Sequence, residues 1–415
     1  MFRVVVGIAA AVLLFFHLFL FRRHKKRWGD RSWFALFRIF YWSLAIPAIA
    51  YLLLALFMGR SLFTIPAEGV WGAFYHLQAA MNYPHIFFFP FYFMLLLIIH
   101  LFLIWPSRIK SKIKTQSKTA LSRRDFLAKS TSAVLTTLDT FPLGVSLFSL
   151  GGMFLGSRDI LVEKIQIRIA NLPSNFEGLR LVQISDIHIG NLIHENYLKA
   201  AAQIIKGVKG DLLLVTGDII DNNNYFLPVA ARFFASLKEA FPMGMYGVLG
   251  NHDFIMDGEE VATQLTGAGL RMLRNETLWL GRGRQTINLM GLDFPPVPRA
   301  SHHRRIKYMQ KFFAQAKKSV KEGYPTILLN HHPSDFEVLK NEDVDLVLSG
   351  HTHGGQFMFS QNRESPLALA SNWYRYYIGH YEENGRQLYV NRGLGHWFPL
   401  RINCPTEITV IELTS

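Results

Sequence analysis

Five short motifs carry most of the residues in this chain that could do chemistry: D-I-H at 186–188, G-D at 217–218, G-N-H-D at 250–253, N-H-H-P at 330–333 and G-H-T-H at 350–353. Carboxylate, imidazole and amide oxygen are mixed donors that suit Mn²⁺, Fe, Zn²⁺ or Mg²⁺, and none of the five offers a thiolate. Two such ions about 3.5–4 Å apart can stabilise both the attacking and the leaving oxygen of an in-line displacement, and they activate water near neutral pH without a protein nucleophile. The set predicts two-metal hydrolysis at phosphorus. No G-x-S-x-G elbow is visible, and the single cysteine, Cys404, reads as a small buried or loop residue.

Each motif must be held by an element, and each follows an apolar run: L-R-L-V-Q-I-S, D-L-L-L-V-T, G-M-Y-G-V-L, T-I-L-L and D-L-V-L-S. Short runs rich in Val, Ile and Leu read as buried strands of an α/β core, whose strand ends form the usual ligand-binding edge. Within Asp186/His188 and His351/His353 the spacing is two residues, and in extended chain such pairs project to the same side, so each pair is expected to clamp one ion. Any one motif occurs by chance among core histidines and capping aspartates. Five in register argue against that reading.

These residues resemble the calcineurin-like metallophosphoesterase superfamily, from about Leu179 to Glu412. The resemblance implies a four-layer α/β/β/α sandwich, an α/β fold class, and two divalent ions. Position by position it makes Asp186, His188 and His353 ligands of one ion, Asn251, His331 and His351 ligands of the other, and Asp218 the carboxylate between them. His252 then matches the histidine that protonates the leaving group, with Asp253 orienting it. In N-H-H-P the ligand is His331 rather than His332, because the pattern is H-x-P. The later stretches G-H-T-H-G-G-Q, L-Y-V-N-R-G-L-G and P-T-E-I-T-V-I-E-L are similar to a membrane-associated branch of the superfamily.

The front of the chain differs in kind. Four apolar stretches, roughly 2–21, 33–58, 84–105 and 126–156, precede the motifs, and the first three are long enough to cross about 30 Å of hydrocarbon as helices. The division expected is an all-α transmembrane anchor of three to four helices at 1–156 and a catalytic domain at 158–415. Residues 1–156 hold 17 Lys+Arg against 4 Asp+Glu, a net of +13, whereas 157–415 hold 27 against 26, a net of +1. A nearly neutral catalytic domain argues against nucleic-acid binding.

Six Lys+Arg lie in 22–31 and seven in 106–124, against Arg60 alone in 59–83. The positive-inside rule puts both basic loops in the cytoplasm and the catalytic domain outside it, in a multi-pass protein. S-R-R-D-F-L-A-K at 122–129 resembles a twin-arginine export signal, and Asp139 makes the fourth stretch a costly span. His17, His76, His85 and His100 show no paired spacing, so interface placement or helix–helix hydrogen bonding is expected of them.

Between the third and fourth motifs lies a basic cluster, His302, His303, Arg304, Arg305 and Lys307, before Met309, Phe312 and Phe313. Such residues can hold phosphate or lipid head groups, or simply begin a solvated amphipathic helix. Arg304 and Arg305 and, by resemblance only, Arg392 and His396 are the candidates for substrate contact. The expected substrate is a phosphomonoester, phosphodiester or pyrophosphate, lipid-linked because a soluble one would not require several spans. Two alternatives stand: a cytoplasm-facing diphosphatase of the UDP-2,3-diacylglucosamine type, and a non-enzymatic membrane sensor of metal or ligand.

Overall fold

The computed structural model describes residues 2–58, 160–193, 195–221, 224–255, 257–295, 302–360, 367–396 and 401–415, with a few single positions between 94 and 144. The chain divides into two compact units, Met1–Phe154 and Leu155–Ser415. The third apolar stretch, most of the fourth, the twin-arginine-like segment and the 59–83 loop lie outside the described residues.

In the first unit, helices α1 (Phe2–Trp28) and α2 (Phe34–Met58) are both long and apolar enough to cross a membrane. They pack on one another, the rings of Phe21 and His24 lying 5.8 and 5.9 Å from that of Tyr41, and Leu13, Phe16, Leu20, Tyr41, Ala45 and Ala48 are buried. Their outer faces expose Ile8, Phe15, Leu36, Ile39 and Phe57, an arrangement that suits hydrocarbon better than water. His17 Nδ1 lies 3.0 Å from the Tyr41 hydroxyl, a helix–helix hydrogen bond, one of the two roles expected of this histidine. Pro47 sits inside α2, as membrane helices tolerate.

The second unit is built on two six-stranded sheets. The first has the order β1 (Ile160–Arg168), β14 (Thr406–Thr414), β2 (Arg180–Ile184), β3 (Leu212–Thr216), β4 (Met245–Val248), β5 (Leu270–Met272). The second runs β12 (Gly379–Glu383), β13 (Arg386–Val390), β9 (Leu346–Ser349), β8 (Thr326–Asn330), β7 (Gln285–Leu292), β6 (Glu276–Arg282). β2 to β5 pair in parallel, as do β7, β8, β9 and β13. A short ribbon, β10 (Met358–Ser360) with β11 (Leu367–Ala368), lies apart.

The apolar runs are continuous because both faces of each sheet are covered. In β3, Leu212 and Leu214 point into the core between the sheets, with Leu181, Leu289, Leu329 and Leu348, while Leu213 and Val215 point to the helix side. That outer layer is α3 (Glu195–Gly207), α4 (Leu227–Leu237) and α5 (Gly258–Gly267). α3 buries Leu198, Ala201, Ala202 and Ile205, the spacing of one helical face. On the far side α6 (His302–Lys317) and α7 (Phe336–Leu339) cover the second sheet through Met309, Phe313 and Phe336. The result is the expected α/β/β/α sandwich, and β2, β3, β4, β8 and β9 all end on the edge where the motifs lie.

Candidate metal centre

The turns after these strands bring the motif side chains together. Asp186, His188 and His353 place one donor atom each within a common 4.8 Å, and so do Asp218, His331 and His351. His188 Nε2 is 3.1 Å from His353 Nε2, and His353 Nε2 is 3.5 Å from Asp186 Oδ1. In the second group His331 Nε2 lies 3.2 Å from His351 Nδ1, 3.2 Å from Asn251 Oδ1 and 3.4 Å from Asp218 Oδ2. Asp218 Oδ2 is also 3.7 Å from His188 Nε2, so this carboxylate touches both groups.

The donor set fits divalent ions. Ligands held at about 2.0–2.2 Å from one ion stand roughly 3–3.5 Å apart, the spacing of these nitrogens and oxygens. His331 Nδ1 donates to the Thr216 carbonyl at 2.8 Å, which turns Nε2 toward Asp218 as the nitrogen that would ligate an ion.

The backbone is strained where it carries these groups. Asp186, His188, Asp218, His351 and His353 all have φ between 48° and 72°, a left-handed region that side-chain-bearing residues rarely occupy. The two-residue spacing therefore does not put His351 and His353 on one ion: the chain between them is not extended, and they fall into different groups, the division that the resemblance implies. Two motif glycines permit the close approach. A Cβ on Gly250 would come within 2.2 Å of Asp218 Oδ1, and one on Gly350 within 2.1 Å of Asp186 Oδ2.

Charge is balanced by proximity. Burial acts against an ionised Asp218, but His331, His252 and His188 outweigh it and hold its carboxyl well below the usual range. Burial raises Asp186. Burial also works against a charged His331, yet Asp218 and Asp186 carry it up to about 9. His353, buried and beside His188, is held well below the ordinary histidine value.

His252 lies at the edge of the centre, its ring 4.6 Å from that of His188 and in a common group with His188 and Asp218. Its Nδ1 is 3.1 Å from Asp221 Oδ1 and 3.1 Å from the Asp221 carbonyl. Burial would lower His252, but Asp221 and Asp218 raise it to about 9. Burial would likewise raise Asp221, and hydrogen bonds to His188 and His252 bring it to about 2.

Asp253 does something other than orient His252. Its carboxylate accepts from the backbone N–H groups of Ile219, Ile220 and Gly250 at 2.8–2.9 Å, tying the turn after β3 to the turn after β4. Asp221 is the orienting carboxylate, and sequence reasoning passed over it. Its signal was the second aspartate of G-D-I-I-D, three residues after Asp218.

The three candidate arginines fare unequally. Arg305 is mostly buried and pairs with Asp335, which also accepts from Asn330 Nδ2, so it anchors α6 to the turn after β8 instead of facing substrate. Arg392 Nε lies 3.0 Å from Glu407 Oε2, an almost fully buried carboxylate, and its Nη2 lies 3.9 Å from Glu163 Oε2, so the side chain pairs with two carboxylates. Arg304 is exposed on α6. His332 is in neither metal group: its Nδ1 accepts from Ser334 N and its ring stacks on His351 at 4.2 Å. Tyr374, also missed, sets its hydroxyl 3.3 Å from His351 Nε2, and Arg401 sets Nη2 3.2 Å from His353 Nδ1.

Residues 179–355 match the calcineurin-like phosphoesterase family model. An uncharacterized metallophosphoesterase of Helicobacter pylori J99 is 31% identical over 57% of this chain and 60% of its own length, so the chain spans less than two thirds of that relative. The uncharacterized metallophosphoesterase YkuE of Bacillus subtilis is 32% identical over 60% of this chain and 84% of its own. The UDP-2,3-diacylglucosamine pyrophosphatase LpxG of Chlamydia trachomatis is 27% identical over 58% of this chain and 86% of its own. With its sandwich fold and paired donor groups, the chain belongs to the calcineurin-like phosphoesterase family, and its second unit is the domain of a metal-dependent phosphoester hydrolase.

Proposed function

We propose that the chain is a membrane-anchored phosphoesterase with a two-metal centre, acting on a phosphoester or pyrophosphate bond of a lipid-linked substrate at the outer face of the membrane. The observation that carries this reading is Asp218, one carboxylate reaching two groups of donors. Asp186, His188 and His353 would hold one ion, and Asn251, His331 and His351 the other. When bound, the ions supply Lewis-acid activation of water and of the phosphoryl oxygens.

The chain's own residues supply the rest. Asp221 holds His252 by Nδ1, so the imidazolium turns Nε2–H toward the centre and gives its proton to the leaving oxygen. His252 N donates to Asp218 Oδ1 at 2.7 Å, which fixes the proton donor relative to the shared carboxylate. Ser185 Oγ and His351 N donate to Asp186 and fix its oxygens.

Two features support the lipid-linked substrate: the apolar helices of the first unit, and the similarity to the chlamydial UDP-2,3-diacylglucosamine pyrophosphatase. That relative also favours a second reading, a diphosphatase of the UDP-2,3-diacylglucosamine type, for which the catalytic unit would face the cytoplasm. The basic segments 22–31 and 106–124 of the sequence support the outward orientation and the multi-pass anchor, with membrane lipids as the immediate surroundings. Assaying the purified full chain on a nitrophenyl phosphomonoester, a nitrophenyl phosphodiester and a lipid pyrophosphate, each with Mn²⁺, Mg²⁺ or Zn²⁺, tests the reading. Preference for the soluble esters would overturn the substrate class.

A further inference from the structure

We infer that Arg401 is the positioning residue of one half of the centre, holding the turn that carries His353 against the loop that supports Asp186. The inference rests on the two-group reading above. His353, Gly354, Gly355 and Gln356 have φ of 53°, 60°, 79° and 55°, a left-handed run that persists only where its surroundings hold it. Arg401 reaches that run directly. Its Nη2 lies 3.2 Å from His353 Nδ1, and its Nη1 donates to the His353 carbonyl at 3.4 Å.

The same guanidinium donates from Nη2 to the Arg392 carbonyl at 2.8 Å and to the Gly395 carbonyl. Arg392 and Gly395 belong to N-R-G-L-G, whose Leu394 N and Gly395 N donate to the Ser185 and Asp186 carbonyls at 2.7 and 2.9 Å. The loop lies close against both turns. A Cβ on Gly393 would stand 3.0 Å from Asp186 Cβ and 3.1 Å from His353 Nδ1, and one on Gly395 would stand 1.8 Å from the Ile187 carbonyl oxygen. One planar, multiply donating fork therefore ties the turns of Asp186 and His353, both donors of the same group. None of these contacts reaches Asp218, His331 or His351. An effect of charge alone would have the opposite sign, because a fixed cation beside a metal group weakens cation binding and its removal would tighten it.

Arg401→Met keeps the stem and removes the donors, and Arg401→Lys keeps the charge without the fork. The detergent-solubilised full chain is titrated calorimetrically with Mn²⁺, and the signal of the spin-coupled pair is followed by electron paramagnetic resonance. The expected result in both variants is one ion held about 10- to 100-fold more weakly and the other unchanged, with a mononuclear signal where wild type gives the coupled one. Adding Asn251→Ala to Arg401→Lys should then remove tight binding of either ion, and a tight ion that persists would overturn the inference. Unchanged or tighter binding in the single variants would overturn it too. So would equal weakening of both ions, or variants that do not fold, because Arg401 would then support the domain as a whole. Fewer than two ions in the wild type would instead refute the two-ion reading, and the inference with it.

Discussion

Asp221 Oδ1 stands 3.1 Å from His252 Nδ1, and the same oxygen is 3.5 Å from His188 Nδ1, so one carboxylate outside the paired donor groups reaches both His252, the proposed proton donor, and a histidine of one group. Asp221→Asn should keep the fold and lower turnover about 10- to 100-fold, most severely on alkyl phosphates, whose poor leaving groups need the proton. Equal losses on nitrophenyl and alkyl esters would remove His252 from the acid role. His252→Ala should behave in the same way while retaining metal.

Asp253→Asn should differ in kind. The amide cannot accept all three backbone N–H groups that the buried carboxylate accepts, so stability falls by about 1–3 kcal/mol. Thermal melts of the two variants separate the roles. A stable Asp253→Asn protein with the leaving-group profile of Asp221→Asn would reverse the assignment.

The Asp221–His252 pair also sets a pH dependence in the metal-free protein. His252 is raised from 6.5 to about 9, so its contribution to stability is complete below 6.5 and is lost as pH rises through 9. Asp221 is lowered from 3.8 to about 2, so its contribution is present above 3.8 and is lost as pH falls through 2. The melting-temperature difference between wild type and Asp221→Asn should narrow between pH 6.5 and 9. A difference constant across that window would show that the pair is not coupled.

Arg305→Ala should destabilise the catalytic unit by about 3–5 kcal/mol, because it strands the buried Asp335 carboxylate. Its effect on a lipid phosphate and on a small soluble ester should be alike. A selective loss on the lipid substrate would restore Arg305 as a head-group contact, the role that remains open to the exposed Arg304.

An alkaline-phosphatase reporter fused after Ser415 should be active if the basic loops lie in the cytoplasm. An inactive reporter, with a fluorescent cytoplasmic fusion, would turn the catalytic unit inward and favour the cytosolic pyrophosphatase.

The strands and the order of the motifs were legible because β2, β3, β4, β8 and β9 are buried on both faces and so read as unbroken apolar runs. The division of His351 and His353 between the two groups was not legible from spacing. It depends on left-handed backbone that only the surrounding contacts stabilise, such as the hydrogen bonds from His351 N to Asp186. Asp221 and Asp253 were confused for a related reason: both lie near His252 in sequence, and only the folded turns decide which carboxylate meets a ring and which meets backbone. Arg305 looked like a surface cation because its partner, Asp335, is thirty residues away.

Metal content and turnover measured together on wild type and Asp218→Ala test the central claim most directly. The account expects two divalent ions per wild-type chain, hydrolysis only when both are held, and loss of metal and activity together when Asp218 is removed. Full activity with one ion, or an Asp218→Ala protein that keeps both ions and its turnover, would contradict it.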